Sequence, residues 1–116
     1  MMKKLLFMLL LVSTVANSAN REQRESRLVS EICSDVPSLT SVQTDSIAVA
    51  VSLYFTQLQT ANEAYPTEVK QRISLKMEAE QVFLETVERI MTPMQWQQWS
   101  EAKELRQQQI VEQLKH

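Results

Sequence analysis

The chain has no glycine in 116 residues, one cysteine, one histidine, three prolines and few aromatic side chains. Each shortage removes a class of structure or chemistry. Sheets joined by tight hairpins usually draw on glycine at positive φ, so its absence points to helices connected by short loops. With Cys33 as the only cysteine, no intrachain disulfide can form, and stability has to come from packing. Two readings of Cys33 stay open: a small half-buried residue on a helix, or an intermolecular disulfide across a dimer axis. The only histidine, His116, is the last residue, where fraying is expected. Neither a nucleophile elbow nor a phosphate loop fits a chain without glycine, and paired Glu-x-x-His motifs for a carboxylate di-iron bundle are missing. Glu78, Glu80, Glu85 and Glu88 read as a solvated helix face. Accordingly no enzyme, no cofactor and no metal site is expected.

Long apolar runs are also scarce. The one that stands out extends from Leu5 to Val12, follows Lys3 and Lys4, and leads into Ser13, Thr14, Val15, Ala16, Asn17, Ser18 and Ala19. These are the three regions of a secretory signal peptide. Eight apolar residues fall well short of the roughly 20 that span a bilayer, and no cysteine follows closely enough to accept a lipid. Cleavage is expected after Ala19, with Ala16 as the alternative. The reading is therefore a signal peptide over 1–19, one small domain over 20–116, and an exported chain with no membrane span after cleavage. Losing two lysines leaves ten basic against fourteen acidic residues, a charge of −4 against −2 for the whole chain. That balance argues against nucleic acid as a partner.

Periodicity supplies the architecture. From Ile47, the positions Ala50, Val51, Tyr54, Phe55 and Leu58 fall at i+3, i+4, i+7, i+8 and i+11, an amphipathic helix stripe. Val69, Ile73, Met77, Leu84, Val87 and Met91 form a second stripe, widened by Phe83 and Ile90. Leu28, Val29, Ile32, Cys33 and Val36 share one side of an earlier, shorter segment. The spacing predicts helices over 22–34, 40–60, 67–91 and 93–114, with Val36-Pro37-Ser38 and Asn62 to Pro66 as breaks and Pro66 at a helix entrance. The fold class is all-α: four helices, a long antiparallel α-hairpin and shorter flanking helices. This stock of apolar positions exceeds what one small chain can cover, which predicts a dimer.

Two helix entrances share a motif. Leu39-Thr40-Ser41-Val42-Gln43 and Met91-Thr92-Pro93-Met94-Gln95 each place Thr as N-cap and Gln three residues later, the arrangement of a capping box. Pro93 suits N1, and Met91 at N′ can staple onto Trp96, whereas Thr44 offers the first copy only a weak staple. Alone, each box starts a helix and carries no chemistry. Two [L/M]-T-x-x-Q copies 52 residues apart in an exported helical chain resemble the Spy/CpxP family of periplasmic LTxxQ-motif proteins. The resemblance covers the layout of the whole mature chain. It implies a bent α-hairpin, a cradle-shaped antiparallel homodimer, and an architectural role for Thr40, Gln43, Thr92 and Gln95. It also implies one of two activities: ATP-independent holding of unfolded or misfolded envelope proteins, or binding to the sensor domain of an envelope-stress kinase. The acidic charge and the very apolar Ile47–Phe55 stretch depart from the best-known chaperone member. The metal binding of some relatives uses His-rich segments that are missing here.

Trp96 and Trp99 lie on one side of the last helix, followed by Lys103, Arg106 and Ile110. They either complete the core or form an aromatic and cationic client surface. Met77, Met91 and Met94 are equally able to fill gaps or to line an adaptable face. The candidate client-binding set is Ile73, Met77, Leu84, Trp96, Trp99, Lys103 and Arg106. How much of it stays in water separates a general holdase from a dedicated regulator or a purely structural helical protein.

Overall fold

The computed structural model describes residues 20–115. The expected signal peptide and its cleavage site lie outside the described residues. Four helices and no strand make up the described chain: α1 over 20–35, α2 Ser41–Ala64, α3 Val69–Ile90 and α4 Pro93–Lys115. No described residue has positive φ, so every turn is made in conformations open to ordinary L-residues and none requires glycine. None of the described helices is long and apolar enough to cross a membrane.

α2 and α3 form the antiparallel hairpin, about 36 and 33 Å long at 1.5 Å per residue. α2 runs to Ala64, four residues past the expected end, because Pro66 forces only its immediate neighbour, Tyr65, out of the helical region. Pro66 itself is not a helix entrance. α3 starts at Val69 after Glu68, which makes no side-chain cap bond. Instead Arg72 closes the turn from within α3, donating to the carbonyls of Pro66 at 2.8 Å and Tyr65 at 3.3 Å.

The α2 stripe packs as its spacing implies, with Ile47, Ala50 and Val51 buried and Tyr54 and Phe55 packed against them. Ile32 of α1, Val36 just after its end, Phe83 and Val87 of α3, Met91 and Trp99 complete one core. α1 is held to α2 at Thr44, Ser52 and Thr56, at i, i+8 and i+12. Arg21 is fixed there, donating to the Ser52 carbonyl at 2.9 Å, to Gln59 Oε1 at 3.1 Å and to Thr56, and pairing with Glu25. Cys33 is half-buried in the same seam, its Sγ 3.8 Å from Thr44 Oγ1.

The second stripe divides. Leu84, Val87 and Met91 join the core, but Val69, Ile73 and Met77 are exposed. An i+4 repeat drifts about 40° around a helix at each step, so these three leave the side that faces α2. Leu75, Ala79 and Phe83 take their place against the hairpin partner.

Candidate functional site

Both motifs cap their helices, and the two caps meet. Thr40 Oγ1 accepts from the Gln43 amide at 3.1 Å while Thr40 N–H donates to Gln43 Oε1 at 2.9 Å. In the second copy the same pair of bonds measures 3.2 and 3.0 Å between Thr92 and Gln95. The glutamine amides then bond one another: Gln43 Nε2 donates to Gln95 Oε1 at 2.8 Å, and Gln95 Nε2 donates to Gln43 Oε1 at 3.3 Å. The remaining hydrogens reach the Ile90 carbonyl from Gln43, at 3.0 Å, and Ser38 from Gln95. Every donor and acceptor of both amides is used. Turning either amide over would set NH2 against a cap N–H, so the caps fix the orientation. Gln95 is only 8% exposed, a burial that this saturation makes tolerable. The clasp ties the α1–α2 junction to the α3–α4 junction.

An aromatic series runs beside the clasp. Tyr54 stacks on Phe83 at 4.9 Å, Phe83 meets the edge of Trp99 at 6.4 Å, and Trp99 meets Trp96 at 5.4 Å. Lys103 Nζ sits 4.4 Å from the centre of the Trp99 ring. Arg106 reaches across to α1, pairing with both Asp35 oxygens at 2.6 and 2.8 Å and with Glu31. Its guanidinium pKa is raised, first by the hydrogen bond to Asp35.

The candidate client-binding set is therefore not one open face. Trp99 is 3% exposed and belongs to the core, Trp96 and Leu84 are half-buried against it, and Lys103 and Arg106 are engaged within the chain. Burying an indole in a core of this size outweighs keeping it free for a client. Ile73 and Met77 alone stand in water, at 50% and 65% exposure. Of the other methionines, Met91 is buried and Met94 exposed.

A different open surface lies on the hairpin. Val42, Val49 and Leu53 are exposed at i, i+7 and i+11 of α2, on the side not covered by α1. They lead into a groove of about 210 Å³ between α2 and α3, lined by Gln57, Thr60, Ala61, Leu75, Ala79 and Val82 with Glu78 at its edge. Sequence reasoning missed this groove because Ala61 and Ala79, small residues facing each other across the hairpin, give no periodic signal stronger than the core itself. It also missed the bond between the two glutamines, although the repeated motif was visible. Among the described residues no group of three or more His, Cys, Asp or Glu is placed to hold a metal ion. No family model matches the chain, and neither a curated protein nor a solved structure matches it.

Proposed function

We propose that the chain is an exported, ATP-independent, chaperone-like protein of the periplasm that binds unfolded or misfolded envelope proteins. The observation that carries this reading is the uncovered hairpin flank, where Val42, Val49 and Leu53 continue into the groove beside Leu75 and Val82. Apolar side chains aligned over several turns of two helices offer desolvatable area without one fixed shape, which suits clients that share hydrophobicity and little else. The two Thr-x-x-Gln entrances, which resemble those of the Spy/CpxP family, support a scaffold role for Thr40, Gln43, Thr92 and Gln95 in holding this flank extended. A second reading, a regulator that binds one kinase sensor domain, draws support from the same groove, whose apolar lining could take a complementary side chain.

The test is suppression of aggregation of two unrelated unfolding proteins by the mature chain, without nucleotide. Protection of both is expected, and Leu53→Glu with Val82→Glu should abolish it while helicity persists. Failure to protect either protein would remove the holdase reading.

A further inference from the structure

The uncovered flank of the hairpin is apolar along α2 and acidic along its borders. α2 carries no charged residue over the seventeen positions from Ser46 to Asn62, although Val49 and Leu53 within that run stand in water. Asp45 and Glu63 close the run. They are eighteen residues apart, five full turns of helix, so both lie on one edge of α2, with Asp45 one turn from Val42 and from Val49. On α3, Glu78 lines the groove beside Ala79 and Val82, and Glu85 lies two turns further along the same edge. All four carboxylates are exposed, and none belongs to an ion pair among the described residues. Glu63 and Glu85 accept from neutral amides, those of Gln59 and Gln81. The cations of α3 stand apart. Lys70, Arg72 and Lys76 do not line the groove, and Arg72 is turned onto the hairpin loop. Arg89 is seven residues past Val82, roughly 10 Å along the axis, with its Nε on the Glu85 carbonyl at 3.3 Å.

At about 210 Å³ the groove is smaller than the roughly 300–1,000 Å³ of small-molecule sites. It suits one large apolar side chain projecting from a longer partner. We propose, resting on the reading of this flank as the client surface, that it selects basic apolar segments, stretches of unfolded chain whose large apolar side chains are flanked by Lys or Arg. The apolar side chains take the groove and the uncharged α2 surface beside Leu53. The flanking cations then fall against Glu78 and Glu85 on one border and Asp45 and Glu63 on the other. Rim charges of this kind stay wet, so they add little to the depth of binding and act on encounter and choice of partner. An acidic segment, or the surface of an anionic membrane, meets like charge on both borders and is turned away.

Fluorescence anisotropy with the mature chain tests it, using two labelled unstructured peptides that share the same Leu and Phe residues and differ in being flanked by Lys or by Glu. The Lys-flanked peptide should bind about tenfold tighter at low ionic strength, the scale of a few exposed charge pairs, and the preference should shrink as salt is raised. Glu78→Lys with Glu85→Lys should reverse the preference. Glu104→Lys with Glu112→Lys, the same change of net charge placed on α4, should leave it in place. Should the first pair lower helicity, Glu78→Gln with Glu85→Gln replaces it, and a weakened preference is then expected. Equal binding of the two peptides, both lost with Leu53→Glu and Val82→Glu, would overturn the selection by charge and leave the chaperone reading standing. A preference that the α4 pair removes as fully as the α3 pair would also overturn it, since net charge and not this rim would then be at work. Binding of neither peptide would overturn it too, and suppression of aggregation reports separately whether the chain captures clients at all.

Discussion

Gln43 and Gln95 use each carbonyl oxygen twice, once for the helix cap at home and once for the amide of the other glutamine. The capping boxes are thus one four-residue unit rather than two local devices. Removing either glutamine leaves a cap N–H and part of its partner's amide unpaired in a half-buried site. Gln43→Ala and Gln95→Ala should each cost about 1–3 kcal/mol, in line with unsatisfied buried polar groups. Because they share bonds, the double variant should lose less than the sum, with a coupling of about 0.5 kcal/mol or more in urea denaturation. Simple additivity would mean the two caps act separately.

Thr92→Ala removes the acceptor for the Gln95 amide and should destabilise the chain by ~1 kcal/mol. In a domain of this size that lowers the melting temperature by about 4–8 °C. Thr92→Ser, which keeps the hydroxyl, should recover most of the loss. A melting temperature untouched by alanine would show that this cap carries no weight.

Tyr54 links the core to alkaline pH. Burial first, and then the charge of Glu80, raise its phenol above the ordinary value of 10.0. The folded chain thus holds this proton more tightly than the unfolded chain. Its contribution to stability is whole below the unfolded value and is lost as pH rises through the folded one. Tyr54→Phe, which keeps the stacking on Phe83, should flatten the decline in stability above about pH 10. A decline identical to that of the parent would place its origin elsewhere.

Trp99 and Met94 are close in sequence and opposite in environment. Trp99→Ala should cost about 3–5 kcal/mol, as large-to-small changes in a core do. Met94→Ala, on the exposed side of the same helix, should stay within about 0.5 kcal/mol. Fluorescence offers a second readout: with Trp96→Phe, the remaining emission from Trp99 should be blue-shifted and poorly quenched by iodide.

Much of the architecture is legible in the sequence. The α2 stripe from Ile47 to Leu58, both Thr-x-x-Gln entrances and the start of α4 at Pro93 are local signals, and local hydrogen bonds realise them. What escaped was decided between helices. Val69, Ile73 and Met77 match a helical stripe as well as Phe83 and Val87 do, and periodicity cannot say which of two neighbouring sides a hairpin partner covers. The same limit applies to Arg106, which looks like a free cation in sequence but pairs with Glu31 and Asp35 of α1. Lys103 instead lies on Trp99 one turn back on the same helix, a local i, i+4 contact.

The clasp also bears on the order of events in folding. It joins side chains 52 residues apart, and closing so long a segment costs chain entropy before any bond is gained. The turn at residues 65–68 brings α2 and α3 together over a far shorter span. The expected order is therefore hairpin first, with the clasp and the seating of Trp99 formed after the rate-limiting barrier. Interactions made that late leave the folding rate nearly untouched and act on unfolding. In the kinetic limbs of the same urea series, Gln95→Ala should accelerate unfolding with little change in refolding. The paired glutamines would then govern how long a folded molecule lasts, a property of lifetime that neither cap could provide alone.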